Sequence, residues 1–221
     1  MAQARNHGLR SQKPTTYFEG CRADYVDALP EAPDAAILEI GCASGGTGAL
    51  ALERGKCATY VGVELNPAAA EIAGQKLTQV LTGNVEEMDL PFAPASFDAL
   101  IVSEVLEHLV DPWKVMQRLA PLVKPGGLVF ASSPNISHYS VILRLLQGRW
   151  ELTDKGVMDR THLRWFTPAL FADLFEQAGF QVTEVRPVTP FANRTRTLNR
   201  LTGNRLRHLF MRQISICGRR R

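Results

Sequence analysis

Short apolar runs alternate along this chain with stretches of helical periodicity. The apolar runs predict strands over 36–40, 59–63, 80–83, 96–103, 128–131, 180–188 and 213–217. The helical stretches lie over 17–29, 49–54, 68–77, 139–147 and 168–178. Pro67 and Thr167 occupy positions that commonly begin a helix. Strands that alternate with helices predict an α/β fold with a doubly wound, mostly parallel sheet.

The first predicted strand runs into a glycine-rich turn. It ends at Ile40, and four glycines follow among small residues: Gly41, Gly45, Gly46 and Gly48. Glycine permits a positive φ and lets a ligand approach where a Cβ would block it. The N-terminus of the next helix offers N–H groups to an anionic or polar ligand. These features predict a nucleotide-like ligand at this turn.

A carboxylate stands at the end of the second predicted strand. Glu64 follows the apolar run 59–63, and a carboxylate can accept hydrogen bonds from both hydroxyls of an adenosine ribose. The first turn does not match the dinucleotide fingerprint G-x-G-x-x-G, because Ala43 takes the place of its second glycine. The pattern therefore indicates an adenosine ligand that is not a dinucleotide.

At these residues the chain resembles the class I S-adenosylmethionine-dependent methyltransferases. Their first motif places an acid before glycines, and residues 39–45 match it with one departure, at Ala43. The runs F-D-x-L-I-V-x-E-V-L-E-H-L-x-D-P over 97–112 and L-x-K-P-G-G over 122–127 resemble the same class. The resemblance implies an enzyme with a seven-stranded Rossmann-like sheet, an antiparallel last strand and S-adenosyl-L-methionine as cofactor. The implied cofactor-binding residues are Glu39, Gly41, Cys42, Ala43, Gly45, Glu64, Leu65, Asn84, Val85 and Ser103.

Asn84 departs from the family pattern. In the resembling family an Asp commonly stands here, beside the adenine, in a run like the one over 83–92. An Asn side chain can still accept a hydrogen bond from the adenine amine. The alternative is that Asn84 only shapes a turn after Gly83.

Residues 135–167 form an insertion after the fifth strand, and we expect them to cap the substrate side of the sheet. The run D-R-T-H-L-R-x-F-T over 159–167 resembles bacterial methyltransferases associated with glycosyltransferases and surface-glycan assembly. The candidate substrate residues are His138, Arg160 and Arg164. Arg160 and Arg164 are equally consistent with phosphate or glycan contacts and with surface ion pairs.

The segment Glu104–His108 carries candidate catalytic chemistry. The spacing lets Glu104, Glu107 and His108 share one helical face, and two carboxylates with an imidazole suit Mg²⁺ or Mn²⁺. His162 is a candidate fourth ligand. E-x-x-E-H with a downstream His is similar to two metal-dependent O-methyltransferase groups, which act on RNA 3′-terminal ribose and in ubiquinone biosynthesis. The alternative is metal-free: Glu104 lines the cofactor pocket and His108 acts as general base. The candidate catalytic residues are His108, Glu104 and His162.

The chain is predicted to be one methyltransferase domain over 1–221, with a helical lead-in over 1–33, the cap over 135–167 and a basic segment over 186–221. The basic segment has ten arginines and no acid, although the whole chain has a net charge of only +3. It is either a solvated helix face with a basic tail or a contact surface for anionic lipid or a phosphorylated substrate. Leucines at 198, 201, 206 and 209 give it a partial apolar stripe.

The start of the chain has no apolar h-region, and no apolar run approaches the ~20 residues of a membrane span. The four scattered cysteines suggest neither a zinc site nor a disulfide scaffold, so a cytoplasmic setting is expected.

Three hypotheses about function follow from this pattern. The first is O-methylation of a sugar hydroxyl in a glycan, lipid-linked or nucleotide-linked precursor. The second is O-methylation of a quinone-like small molecule, which predicts a narrower and more apolar acceptor pocket. The third is a non-catalytic interaction module with the same fold. A nucleic-acid partner is not expected, because the basic residues cluster at the C-terminus rather than interleave with aromatic residues.

Overall fold

The computed structural model describes residues 20–221, so the start of the predicted lead-in helix, at 17–19, lies outside the described residues. A seven-stranded sheet forms the centre of the fold, in the order β3-β2-β1-β4-β5-β7-β6. The strands are β1 (Ala36–Ile40), β2 (Thr59–Glu64), β3 (Gln79–Thr82), β4 (Phe97–Ser103), β5 (Val123–Pro134), β6 (Phe180–Pro187) and β7 (Gln213–Arg220).

Eight α-helices accompany the sheet within the described residues. They are α1 (Ala23–Ala28), α2 (Gly46–Glu53), α3 (Pro67–Gly74), α4 (Pro112–Leu119), α5 (Tyr139–Leu146), α6 (Pro168–Gln177), α7 (Asn193–Leu201) and α8 (Arg207–Phe210). Short 3-10 helices cover Leu106–His108 and Ala120–Leu122. The predicted helix starts are confirmed: Pro67 is the first residue of α3, and the Thr167 side chain accepts a hydrogen bond from the Leu170 amide at the start of α6. No helix in 20–221 is both long and apolar enough to cross a bilayer.

The predicted Rossmann-like sheet is confirmed. Strands β1 to β5 pair in parallel, and β7 pairs antiparallel with both β5 and β6. The central strands are buried almost throughout, as parallel strands covered on both faces must be. One face packs against α1, α2 and α3, and the other packs against α4 and α6.

Strand β5 differs from its prediction. The sequence Lys124-Pro-Gly-Gly127 predicts a turn before a short strand, whereas the structure runs β5 from Val123 to Pro134 with a register shift opposite β4. At Gly127 an added Cβ would lie 2.9 Å from the Asp98 carbonyl oxygen, so glycine permits the close approach of the two strands. In the predicted cap, the helix covers only 139–146, and the rest is mainly turns and irregular chain.

Candidate active site

A cavity of about 620 Å³ opens at the carboxyl ends of the central strands. In parallel α/β sheets this edge is where ligands bind, because the loops leave the strands there. The lining residues are contributed by the ends of β1, β2, β4 and β5, the cap and the chain before α1. A narrower space of about 40 Å³ lies beside the ends of β1, β2 and β3, and Gly41, Glu64, Val105 and His108 border both spaces.

The glycine-rich turn has the positive φ angles that its sequence suggests. Gly41 has φ of 75°, and an added Cβ there would lie 2.4 Å from the Val105 side chain. Ala43, the departure from the family motif, also adopts a left-handed φ of 50°. Glycine would take this conformation without strain, whereas Ala43 keeps it because its amide donates a 2.9 Å hydrogen bond to Glu64 Oε2.

Glu64 connects the first two strand ends. Its Oε2 accepts from the Ala43 amide, and its Oε1 accepts from the Asn66 amide at 2.8 Å. Each carboxylate oxygen has a second lone pair, so the two oxygens can accept further hydrogen bonds from a ligand. Because Glu64 borders both the large and the narrow space, it is placed to contact the middle of a ligand that extends through both.

Glu39 lies buried at the base of the large cavity. The Tyr60 hydroxyl donates a 2.9 Å hydrogen bond to Glu39 Oε2. Burial disfavours the charged carboxylate and raises the pKa of Glu39 to about 7, although the hydrogen bonds from Tyr60 and Thr47 oppose the shift. A cationic ligand in the cavity would favour the ionised form.

Arg22 lines the cavity, although no sequence motif identifies it. Its Nη1 donates to Ser103 Oγ at 2.8 Å and to Ser132 Oγ at 2.7 Å, while Nε and Nη2 bond Asp24. These contacts hold the guanidinium against the ends of β4 and β5. The only sequence signal was a basic residue within the predicted lead-in helix 17–29, which is common and unspecific.

The Asn84 side chain is held by the turn that follows it, and its expected contact with the adenine stays a prediction. Its Oδ1 accepts from the Glu86 amide at 3.1 Å, which fixes the orientation of the side-chain amide and gives the turn that was the alternative interpretation. Its Nδ2 is buried and has no partner within 20–221. Asn84 can therefore offer a ligand in the narrow space the Nδ2 donor, in addition to the second lone pair of Oδ1.

Three of the four predicted metal ligands come together. One ligand atom each from Glu107, His108 and His162 lies within 4.8 Å of the other two, and all three residues are buried and line the cavity. The two imidazole centroids are 4.8 Å apart. Glu107 Oε2 also accepts from Ser133 Oγ at 3.2 Å. Glu107 and His108 come from the 3-10 turn after β4, and His162 comes from the cap, so tertiary contact brings them together.

Hydrogen bonds set the tautomers of both histidines. His108 Nδ1 lies 3.1 Å from the Thr161 carbonyl oxygen, and His162 Nδ1 lies 3.1 Å from the Val157 carbonyl oxygen. A carbonyl oxygen can only accept, so each Nδ1 carries the proton and the lone pair lies on Nε2. Histidines that bind a metal commonly donate a hydrogen bond from their other ring nitrogen to a carbonyl or carboxylate in this way.

Glu104 lies outside this group, which corrects the expectation of a shared helical face. Its φ is 54°, and helical structure begins only at Leu106. Its Oε2 accepts from Gln213 Nε2 at 3.0 Å, and burial raises the pKa of its carboxyl. Glu104 nevertheless lines the cavity, as the metal-free alternative expected.

The remaining predicted residues divide between the cavity and the surface. Leu65 and Val85 border the narrow space, and Cys42 and Ser103 border the large one. Gly45 instead caps α2, where an added Cβ would lie 3.2 Å from Ala73 of α3.

The three candidate substrate residues are not part of the cavity lining. His138 caps α5, Arg160 pairs with Asp154 at 2.9 Å, and Arg164 donates to the Val110 carbonyl. Arg160 thus forms the surface ion pair of the alternative interpretation, whereas Arg164 has a carbonyl partner.

Comparison with known proteins supports the predicted class. The model of a methyltransferase domain family matches residues 15–185. The ubiquinone biosynthesis O-methyltransferase of Paracidovorax citrulli is 30% identical over 183 residues, which cover 79% of this chain and 75% of the relative. The protein of the same name from Thiobacillus denitrificans is 30% identical over 186 residues, covering 80% and 78%. The names of these relatives agree with the second hypothesis, a quinone-like acceptor. The resemblance to glycan-associated methyltransferases stays a prediction.

A solved structure shows the same fold. The S-adenosylmethionine-dependent methyltransferase from Mesorhizobium loti superposes with a TM-score of 0.62 at 15% identity, covering 89% of this chain and 96% of that one. The fold, the glycine-rich turn and the family match over most of the chain all indicate a methyltransferase. The chain belongs to the methyltransferase domain family and is an S-adenosylmethionine-dependent methyltransferase.

Proposed function

We propose that this enzyme methylates one hydroxyl of an acceptor with two neighbouring hydroxyls, of the catechol type found in quinone precursors. The observation that carries the proposal is the group Glu107, His108 and His162, which lines the same cavity as the cofactor residues. The names of the relatives, ubiquinone biosynthesis O-methyltransferases, support the quinone-like class of acceptor.

The cofactor side of the cavity positions the methyl donor. Glu64 would accept hydrogen bonds from the ribose hydroxyls, and Asn84, in the narrow space beside Glu64, would contact an edge of the adenine. Arg22 and Glu39 lie at the other part of the cavity, where the charged methionine end of the cofactor would bind. The sulfonium methyl is already activated, so alignment with the acceptor oxygen supplies much of the rate enhancement.

The acceptor hydroxyl must also lose its proton. Glu107, His108 and His162 would hold a divalent ion, and their donor set of two imidazoles and one carboxylate suits Mn²⁺ better than Mg²⁺. Such an ion would lower the pKa of an acceptor hydroxyl that binds it. Without an ion, His108 Nε2 carries a lone pair and would take the proton directly as general base.

A specific observation supports a sugar as the second candidate acceptor. The lining on the acceptor side includes Lys155, Asp159, Arg212 and Gln213 rather than a narrow apolar slot. A sugar diol presents neighbouring hydroxyls to the same group of side chains and would use the polar lining for hydrogen bonds. The two candidates therefore share the chemistry and differ in the rest of the acceptor.

The test measures transfer of a labelled methyl group from S-adenosylmethionine to a panel of catechols and a panel of nucleotide sugars. We expect transfer to a catechol oxygen, reduced by chelator and restored by Mn²⁺. Transfer only to sugars would select the second candidate. Transfer to a nitrogen, or rates unchanged in both His108→Ala and His162→Ala, would overturn the proposal.

A further inference from the structure

Helix α5 exposes most of its apolar side chains. The helix has the sequence YSVILRLL, and Val141 is its only buried residue. Leu143 is 53% exposed and Leu146 is 79% exposed, and the exposed large apolar residues of this region also include Tyr139, Ile142, Leu145, Trp150 and Leu152. A contiguous apolar surface of this kind is uncommon on a protein that has no partner there, and it marks a contact site.

Helix α7 repeats this pattern in the basic segment. Asn199 is its only buried residue, while Leu198 is 42% exposed and Leu201 is 80% exposed. Helix α8 follows α7 in the chain and contacts the start of α5, since the ring of Phe210 lies 6.1 Å from that of Tyr139. The Asn135 side chain also donates to the carbonyls of His208 and Met211, which fixes the start of the cap against α8.

Basic residues predominate around these helices, although one acid, Glu151, pairs with Arg149 just after α5. Within the described residues, seven arginines near the exposed leucines form no ion pair with an acid: Arg144, Arg194, Arg196, Arg200, Arg205, Arg207 and Arg212. The segment 186–221 contains no acid that could pair with them. Guanidinium groups around leucines form the pattern that binds anionic phosphate headgroups while the leucines enter the acyl boundary.

We infer that α5, α7 and α8 form a docking surface for an anionic lipid bilayer. Trp150 and Tyr139, each nearly half exposed, have the amphipathic rings that settle at the headgroup level of a bilayer. A second copy of the chain would bring a second set of arginines against the first, which is unfavourable for a like-charged surface. Charge complementarity therefore selects the lipid surface.

The docking surface borders the entrance to the cavity. Pro134, at the end of β5, and Arg212, after α8, both line the cavity, and α5 begins five residues after Pro134. Docking through α5 and α8 would bring this side of the cavity to the membrane, so an acceptor with an apolar tail could enter from the bilayer. The docking surface itself does not depend on which acceptor the enzyme methylates.

The experiment is flotation of the full-length protein with vesicles of phosphatidylcholine, with and without phosphatidylglycerol. We expect binding to the anionic vesicles that falls with added salt. The double variant Leu143→Gln/Leu146→Gln should reduce the bound fraction about tenfold, since it removes the side chains that would enter the bilayer. Arg196→Gln/Arg200→Gln should reduce binding and flatten its salt dependence.

Matched controls separate the docking surface from general effects. Leu170→Gln, at a leucine that is 39% exposed on α6, and Arg54→Gln, at an arginine paired with Asp27, should bind vesicles like the parent protein. All variants should bind S-adenosylhomocysteine normally, which shows that they fold. The inference is overturned if the parent protein does not bind anionic vesicles, or if Leu143→Gln/Leu146→Gln binds them as well as Leu170→Gln does. It is equally overturned if the variants change only a dimer measured by ultracentrifugation.

Discussion

The two walls of the cavity are built in different ways. One wall, proposed to bind the cofactor and called the cofactor wall, consists of residues at the ends of successive strands. Two backbone turns meet there, because Glu64 accepts hydrogen bonds from the Ala43 amide of one turn and the Asn66 amide of the other. The other wall, proposed to face the methyl acceptor and called the acceptor wall, depends on three side chains from two distant segments. The cap brings His162 to Glu107 and His108. In the proposed function many small contacts would hold the cofactor, whereas a few side chains would carry the acceptor chemistry. Substitutions on the first wall should therefore change affinity, and substitutions on the second should change rate.

The strongest test of this contrast is His108→Ala, compared with His162→Ala. Each should lower kcat by about 10²-fold or more, because the acceptor hydroxyl loses the group that assists its deprotonation. The affinity for S-adenosylhomocysteine should stay within about twofold in calorimetric titration of His162→Ala, because His162 lines only the large cavity, whereas His108 also borders the narrow space. The exposed His208, changed to Ala, is the control for general loss of an imidazole. Equal losses of rate and of cofactor affinity would contradict the division between the walls.

The second test concerns the buried acid of the cofactor wall. Glu39 has a pKa of about 7 when folded, against 4.5 for its unperturbed carboxyl. Its contribution to stability is therefore fully present below pH 4.5 and is lost as the pH rises to about 7, because the folded state binds the extra proton. Relative to Glu39→Gln, the parent should lose on the order of 3 kcal/mol of unfolding free energy over this window.

Denaturant unfolding of the ligand-free protein at several pH values measures this loss. The exposed Glu53→Gln should follow the parent curve. Parallel curves for the parent and Glu39→Gln would show that Glu39 does not take up a proton between these pH values.

The third test removes the central contact of the cofactor wall. Glu64→Ala should weaken binding of S-adenosylhomocysteine by about 1–3 kcal/mol, because ribose hydroxyls would lose their acceptor. The same change leaves the amides of Ala43 and Asn66 without their side-chain acceptor, so the thermal midpoint should also fall. Glu64→Gln keeps one acceptor oxygen, so its cofactor affinity and thermal midpoint should lie between those of the parent and Glu64→Ala. A lower thermal midpoint with unchanged affinity would limit Glu64 to a structural role.

The smallest expected effect is at Asn84. Asn84→Asp keeps the acceptor that bonds the Glu86 amide and replaces the buried Nδ2 donor by an acceptor. We expect cofactor affinity to change by about 1 kcal/mol, with an unfavourable sign if Nδ2 donates to the adenine. Titration of both proteins with S-adenosylhomocysteine gives the sign. Tighter binding by the Asp variant would mean that the adenine amine is the partner, as the sequence suggested.

The sequence by itself determined the sheet and the cofactor wall. Apolar runs separated by helix starts such as Pro67 and Thr167 specify strand and helix locally, and parallel strands then place every carboxyl end at one edge. Glu39, Gly41 and Glu64 follow from this rule, because each lies in or directly after a strand. Local patterns of this kind depend on neighbours in the chain, which a sequence displays.

Only the tertiary structure decided the acceptor wall and the exposed helices. The separation of Glu104 from Glu107 depends on a positive φ that spacing alone does not reveal. Arg22 reaches the cavity because serines on β4 and β5 accept its hydrogen bonds, and these residues are far apart in the chain. The apolar residues of α5 would suit a core helix equally well. Burial depends on which elements pack together, so only the packed fold shows that these leucines face outward.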